Sequence, residues 1–278
     1  MTAMRTTVLV IAVVAILAMP AFAQTPRQDA TGGGFAGVSV DETASFNNPA
    51  GLPLLKTFGT NISPWPSRAS LNALVDGPDD LNQYSAFYAG RAADNMNGWG
   101  AGYIRTENSF DEDAFSLGYG QNFGKGLTVG ASVFHQSWDA APILTDQDGM
   151  MNDDITSFDL GAIYRKQMPM NTWRFGLWIE DVADEYGGPF FNLAAGVELP
   201  AGVDVAATLY DASDEVDTVL GIGAEWEVPM SDLIVRAGNF DGDFSAGVGY
   251  RWTNFELSAA WVDAENDDLF TAGVTGCF

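Results

Sequence analysis

The sequence predicts an all-β chain, a transmembrane antiparallel β-barrel of about 14 strands with an N-terminal plug segment. Three observations carry that reading. From about Pro53 to the last residue the chain runs as short segments in which apolar and polar residues alternate. The segment cores are about ten residues long, the length a tilted strand needs to cross a bilayer, whereas strands of soluble domains average about 5–6. Acidic residues collect in every second connection between the segments.

The first 23 residues are set apart as a signal peptide. Arg5 supplies the positive start, "TVLVIAVVAILAM" the apolar stretch, and Ala21 and Ala23 the small residues of a cleavage site before Gln24. The apolar run is shorter than the roughly 20 residues of a spanning helix. Residues 24–52 are the expected plug and 53–278 the expected barrel.

The alternation is clearest in "TVLGIGAEWEV". Leu220, Ile222, Ala224, Trp226 and Val228 share one face, opposite Gly221, Gly223, Glu225 and Glu227. Trp173, Phe175, Leu177 and Ile179 form another such face, as do Phe191, Leu193, Ala195, Val197 and Leu199. The 14 segments centre near Thr57, Phe87, Gly102, Leu117, Val133, Gly161, Gly176, Ala195, Ala207, Ile222, Val235, Val248, Ser258 and Val274. An even count suits a bacterial single-chain barrel, and closure removes the sheet edges that lipid cannot satisfy. Phe278 ends the last apolar face and resembles the terminal aromatic that serves outer-membrane barrels as an assembly signal.

Charge sorts the connections. Segments 64–82, 107–113, 139–154, 181–189, 211–217, 239–243 and 263–268 hold 25 of the 37 acids and a single base, Arg68. The alternate connections are mostly short, such as "PAG" and "PMSD". Longer outer loops and short periplasmic turns are the barrel rule, so the acidic set is expected outside. Without Arg5 the formal net charge moves from −25 to −26, which excludes nucleic acid as a partner. Cys277 is the only cysteine and His135 the only histidine, so no intramolecular disulfide and no multi-histidine metal site can form.

The polar faces place ten charged residues toward the lumen: Asp159, Arg165, Arg174, Glu198, Asp204, Glu225, Glu227, Arg236, Arg251 and Glu256. Buried charges must be paired or hydrated, and both signs are present. These residues read either as a self-paired, solvated wall or as a wall that binds a plug. A lumen of about 14 strands is too wide for side chains alone to fill. The small-residue stretch Thr31–Leu52 could enter it. Its "NNPAGL" would then be the corner where the plug becomes the first strand, with Gly51 at positive φ.

Catalytic signatures are absent. "GASVF" is not G-x-S-x-G, and "GQNFGKG" lacks P-loop spacing. Leu144 and Ile155 break the calcium-loop pattern of "TDQDGMMNDD". His135, Ser137 and Asp139 share a strand face but stand too far apart for a nucleophile–base pair. The reading is therefore not an enzyme, with no catalytic residues, no metal and no cofactor. Loosely bound divalent cations at the acidic outer loops are the one exception it allows.

"DETASFNNPAGL" resembles the Asp-Asp-Ala-x-Ala-x-x-x-Asn-Pro-Ala-Gly-Leu signature of the FadL/TodX hydrophobe transporters and the related PorV-like barrels. Asp41 and Glu42 fall on its acidic pair, and Asn48, Pro49, Ala50 and Gly51 on its hatch motif. Glu42 and Thr43 stand where Asp and Ala are commoner. The second half, including "GLWIEDVADEYGGPFFNLAAGVELP" and "FSAGVGYRWTNFELSAAW", is similar to the PorV-like side in its strand–turn order. The resemblance implies a multi-pass barrel of the bacterial outer membrane that passes small hydrophobic molecules. The alternative it implies is a non-transporting PorV-like scaffold or shuttle for exported proteins, or an abundant structural porin-like barrel. Membrane lipids and the outer-membrane assembly machinery are the expected partners.

Overall fold

The computed structural model describes residues 25–58, 65–77, 81–107, 110–140, 153–183, 185, 189–212, 218–264 and 268–278. The expected signal peptide and the stretch 141–152 lie outside these residues. Fourteen antiparallel strands close into one barrel: β1 (Ser67–Asp76), β2 (Asn82–Arg91), β3 (Asn97–Glu107), β4 (Phe110–Asn122), β5 (Leu127–Ala140), β6 (Asp153–Gln167), β7 (Thr172–Glu180), β8 (Phe190–Leu199), β9 (Val203–Tyr210), β10 (Val219–Glu227), β11 (Leu233–Phe240), β12 (Asp243–Trp252), β13 (Phe255–Asp263) and β14 (Asp268–Cys277). Each pairs with its sequence neighbours, and β14 returns to β1. Ser67 and Phe278 tie that seam: Ser67 N donates to the Phe278 carbonyl at 3.1 Å, and Phe278 N to the Ser67 carbonyl at 3.0 Å.

Alternation dictates the two faces. Leu117, Phe158, Leu193, Val248 and Leu257 are exposed on the outside, while their strand neighbours point inward. Aromatic side chains mark both ends of this apolar exterior. Tyr119, Trp173, Trp226 and Trp252 stand toward the short connections, and Tyr84, Phe158, Phe244 and Phe270 toward the others. Aromatic girdles of this kind belong to transmembrane barrels. Among the described residues no helix is long and apolar enough to cross a membrane.

Thirteen of the expected strand centres fall within β2–β14. The first does not. Thr57 belongs to no strand, and β1 begins at Ser67, inside the stretch 64–82 expected as an outer loop. Two further expectations are corrected with it. Arg68 sits on β1 facing inward at the short-connection end. The barrel boundary lies past residue 58, so "NNPAGL" is not the corner into the first strand. The apolar run "GLPLL" imitated a strand, whereas β1 presents mostly small outward residues, Ala69 and Ala73 beside Leu71 and Val75, which weakened its signal.

Residues 25–58 lie inside the barrel. They form a short helix, α1 (Pro26–Ala30), and three 3-10 turns, Ala36–Val38, Glu42–Ser45 and Pro49–Leu54. Most of this segment is fully buried.

Candidate functional site: the lumen

The wall receives the segment through missing side chains. A Cβ at Gly161 would overlap the Asn48 amide oxygen, one at Gly176 the Gly37 carbonyl, and one at Gly223 the Thr31 carbonyl. These glycines alternate with outward apolar residues on β6, β7 and β10, so inward glycine is the imprint of backbone lying against the wall. Gly32 and Gly33, at φ +52° and +65°, turn the segment beside Asn239 and Tyr210.

Hydrogen bonds satisfy the buried backbone, as burial requires. Thr25 caps α1 by accepting from Gln28 N. Tyr210 Oη donates to the Gly33 carbonyl at 2.8 Å, and Thr208 Oγ1 to that of Gly34 at 2.9 Å. Ser116 Oγ donates to the Ser45 carbonyl at 2.6 Å. Phe46 adds an apolar anchor, meeting Phe87 and Phe134 edge-on with ring centroids 5.6 and 5.7 Å apart.

The motif residues sit at the centre of this arrangement. Asn48 caps the turn Pro49–Leu54 by accepting from Ala50 N at 3.1 Å. Its amide nitrogen donates to the carbonyls of Gly37 at 2.8 Å and Leu177 at 3.2 Å. Pro49 and Ala50 pack against Gly130. Gly51 does not take positive φ; its role is close approach, since a Cβ there would overlap the Ser39 carbonyl. Asp41 caps the turn Glu42–Ser45, accepting from Thr43 N at 3.0 Å and from Ser39 Oγ at 2.9 Å, and pairs with Arg27. Glu42 lies 2.7 Å from Arg68 Nε. Burial pushes the Asp41 carboxyl up, but Arg27, Arg68 and the Thr43 hydrogen bonds overcome it and leave it at about 2. Among the described residues no cation pairs with Asp29, and burial holds its carboxyl well above the usual range despite a hydrogen bond from Thr271.

Nine of the ten expected lumen charges gather at the short-connection end. Arg174 bonds Asp204 at 2.5 Å. Arg236 lies between Glu225 at 2.7 Å and Glu256 at 2.6 Å. Arg251 reaches Glu227 at 2.7 Å and Glu256 at 3.0 Å. Arg165 approaches Glu198 only to 3.8 Å. Asp159 stands apart, toward the other end, where it accepts from Asp181 N and Ser132 Oγ. Three residues of the segment and of β1 complete the network. Arg27 meets Glu225 at 2.9 Å, Lys56 meets Glu198 at 2.7 Å, and Arg68 meets Glu42. Sequence reading missed these three, although a cation inside a segment rich in small residues needs a partner and so points to a charged wall.

Beneath the segment a cavity of about 700 Å³ opens at the short-connection end, floored by Pro53, Leu54, Leu55 and Phe58 and walled by the ion pairs. At the seam, Cys277 is fully buried, and Phe278 is exposed beside it. His135 accepts or donates a hydrogen bond with Thr156 on the outer surface at 2.8 Å. The side chain of Asp139 lies outside the described residues.

No protein-family model and no curated protein matches the chain. Solved structures match its fold. The CymD monoaromatic hydrocarbon channel aligns over 93% of this chain and 99% of its own, with 13% identity and a TM-score of 0.59. A Pseudomonas aeruginosa FadL homologue aligns over 91% and 98%, with 12% identity and a TM-score of 0.56. A deletion mutant of the TodX monoaromatic hydrocarbon channel aligns over 91% and 98%, with 13% identity and a TM-score of 0.53. The chain thus has the fold of these membrane channels, a closed 14-strand barrel.

Proposed function

We propose that this protein is a bacterial outer-membrane channel for small hydrophobic molecules, held closed by its own N-terminal segment. The observation that carries the reading is the seating of residues 25–58 across the lumen on inward glycines and ion pairs. A pore for water-soluble solutes needs a continuous aqueous path, whereas an apolar solute does not. The acidic connections face outward in this reading, and the 700 Å³ cavity opens to the periplasm.

One observation favours a second reading. Residues 25–58 are mostly buried within the lumen, and the cavity beside Thr25, Asp29 and Thr271 measures about 10 Å³. A filled lumen suits a non-transporting PorV-like scaffold or shuttle for exported proteins, or a structural barrel. Uptake of a radiolabelled monoaromatic hydrocarbon by cells with and without the protein separates the two. Faster uptake with the protein supports the channel. Equal uptake, with the folded barrel present in the membrane, removes it and leaves the scaffold.

A further inference from the structure

Two arginines in the 700 Å³ cavity lack what the other lumen cations have. Arg27, Lys56, Arg68, Arg174, Arg236 and Arg251 each hold a carboxylate within 2.9 Å. Among the described residues Arg165 has only Glu198 at 3.8 Å, and Glu198 is already taken by Lys56 at 2.7 Å. The strand register sets Arg165 directly opposite Arg174, so two like charges adjoin. Arg91 donates through Nε to the Leu55 carbonyl at 2.9 Å and through another nitrogen to the Asn95 amide oxygen. Among the described residues no carboxylate forms an ion pair with Arg91.

Scarcity of acids does not explain this, because the chain has 37 acids and 12 lysines and arginines. Of the charged side chains lining the cavity, seven are cations and five are carboxylates. A strongly acidic chain thus keeps a cationic surplus in this cavity. A partly desolvated cation without a counterion attracts an anion from solution, and guanidinium forks fit carboxylate and phosphate oxygens.

We propose that this cavity is a binding site for a small organic anion, whose carboxylate or phosphate group is bound by Arg165, with Arg91 on the wall of the same cavity. Pro53, Leu54 and Phe58 offer its remainder an apolar floor. The volume falls in the range of small-molecule sites, about 300–1,000 Å³. The site lies at the opposite end of the lumen from the acidic connections, and it stands whether or not the barrel conducts hydrocarbons.

Calorimetric titration of the full-length protein in a neutral maltoside detergent tests it, with butyl phosphate, inorganic phosphate and 1-butanol as probes. Butyl phosphate is expected to bind saturably. Arg165→Gln should weaken it about ten-fold or more, the loss of a charged hydrogen bond. Lys166→Gln, on the outward face next to Arg165, should leave binding unchanged. Inorganic phosphate binding as tightly as butyl phosphate identifies a free anion as the ligand; tighter butyl phosphate identifies an amphiphile. No saturable binding of either phosphate overturns the site. So does equal binding of butanol, equal weakening by Lys166→Gln, or wild-type affinity in Arg165→Gln, whose half-exposed side chain can be lost without unfolding the barrel.

Discussion

Asn48 lies directly over Gly161, so that a side chain at 161 would occupy the position of the Asn48 amide oxygen. The Asn48 amide nitrogen bonds at once to the segment, through Gly37, and to the wall, through Leu177. One side chain thus couples the N-terminal segment to the barrel. Asn48→Ala leaves those buried acceptors short of a donor at a cost of about 1–3 kcal/mol. We expect both Asn48→Ala and Gly161→Val to raise single-channel conductance in planar bilayers while the barrel stays heat-modifiable on gels. Wild-type conductance in both would show that the segment does not close the lumen.

Asp41 and Asp29 are predicted to respond in opposite ways. The Asp41 carboxyl is depressed from 3.8 to about 2, so its stabilisation is complete above its ordinary value and is lost as pH falls through 2. That shift corresponds to about 2 kcal/mol. Conductance should therefore be low at pH 7 and rise below about pH 4, and Asp41→Asn should conduct at pH 7. The Asp29 carboxyl is raised, so its charged form opposes burial as pH increases. Asp29→Asn should keep conductance at or below the wild-type value at pH 7. Identical behaviour of the two variants would contradict the assignment.

Arg236 holds two buried carboxylates, Glu225 and Glu256. Arg236→Met leaves Glu225 with Arg27 and Glu256 with Arg251 as remaining partners, so the expected loss is about 1–3 kcal/mol, that of charge-assisted hydrogen bonds. Urea titration read by gel shift should show the loss, and Glu256→Gln added to Arg236→Met should recover part of it. Without any recovery, the cost would belong to packing rather than charge.

Phe278 contributes two backbone hydrogen bonds to the seam. Deleting it should reduce the heat-modifiable barrel in membranes more than Phe278→Ala does, since Ala keeps the backbone pair. Equal defects would place its whole effect in the aromatic ring.

Most of the wall was legible in the sequence because lipid and lumen impose opposite chemistries on alternate residues. β7 and β10 are the clear cases, with Trp173–Ile179 and Leu220–Trp226 outward. β1 was missed because its outward alanines barely differ from its inward serines. Periodicity could not show the segment's path, because 3-10 turns on irregular backbone have no period. Its trace was present all the same in the inward glycines of β6, β7 and β10, which a polar wall does not require. The role of Arg68 was hidden by its position in a stretch that read as loop, and that of Lys56 by the apolar run around it.

The closed ladder has a consequence for how the molecule is made. Residues 25–58 touch strands from β1 to β14, and the ring joins only when β14 meets β1. A chain already inside cannot leave through a sealed wall, and one left outside must thread a mouth lined with ion pairs. A ring still open at the β1–β14 seam admits the segment sideways, with the strands wrapping round it as round a mandrel. β1 and β14, far apart in the sequence, meet in the step that seals it.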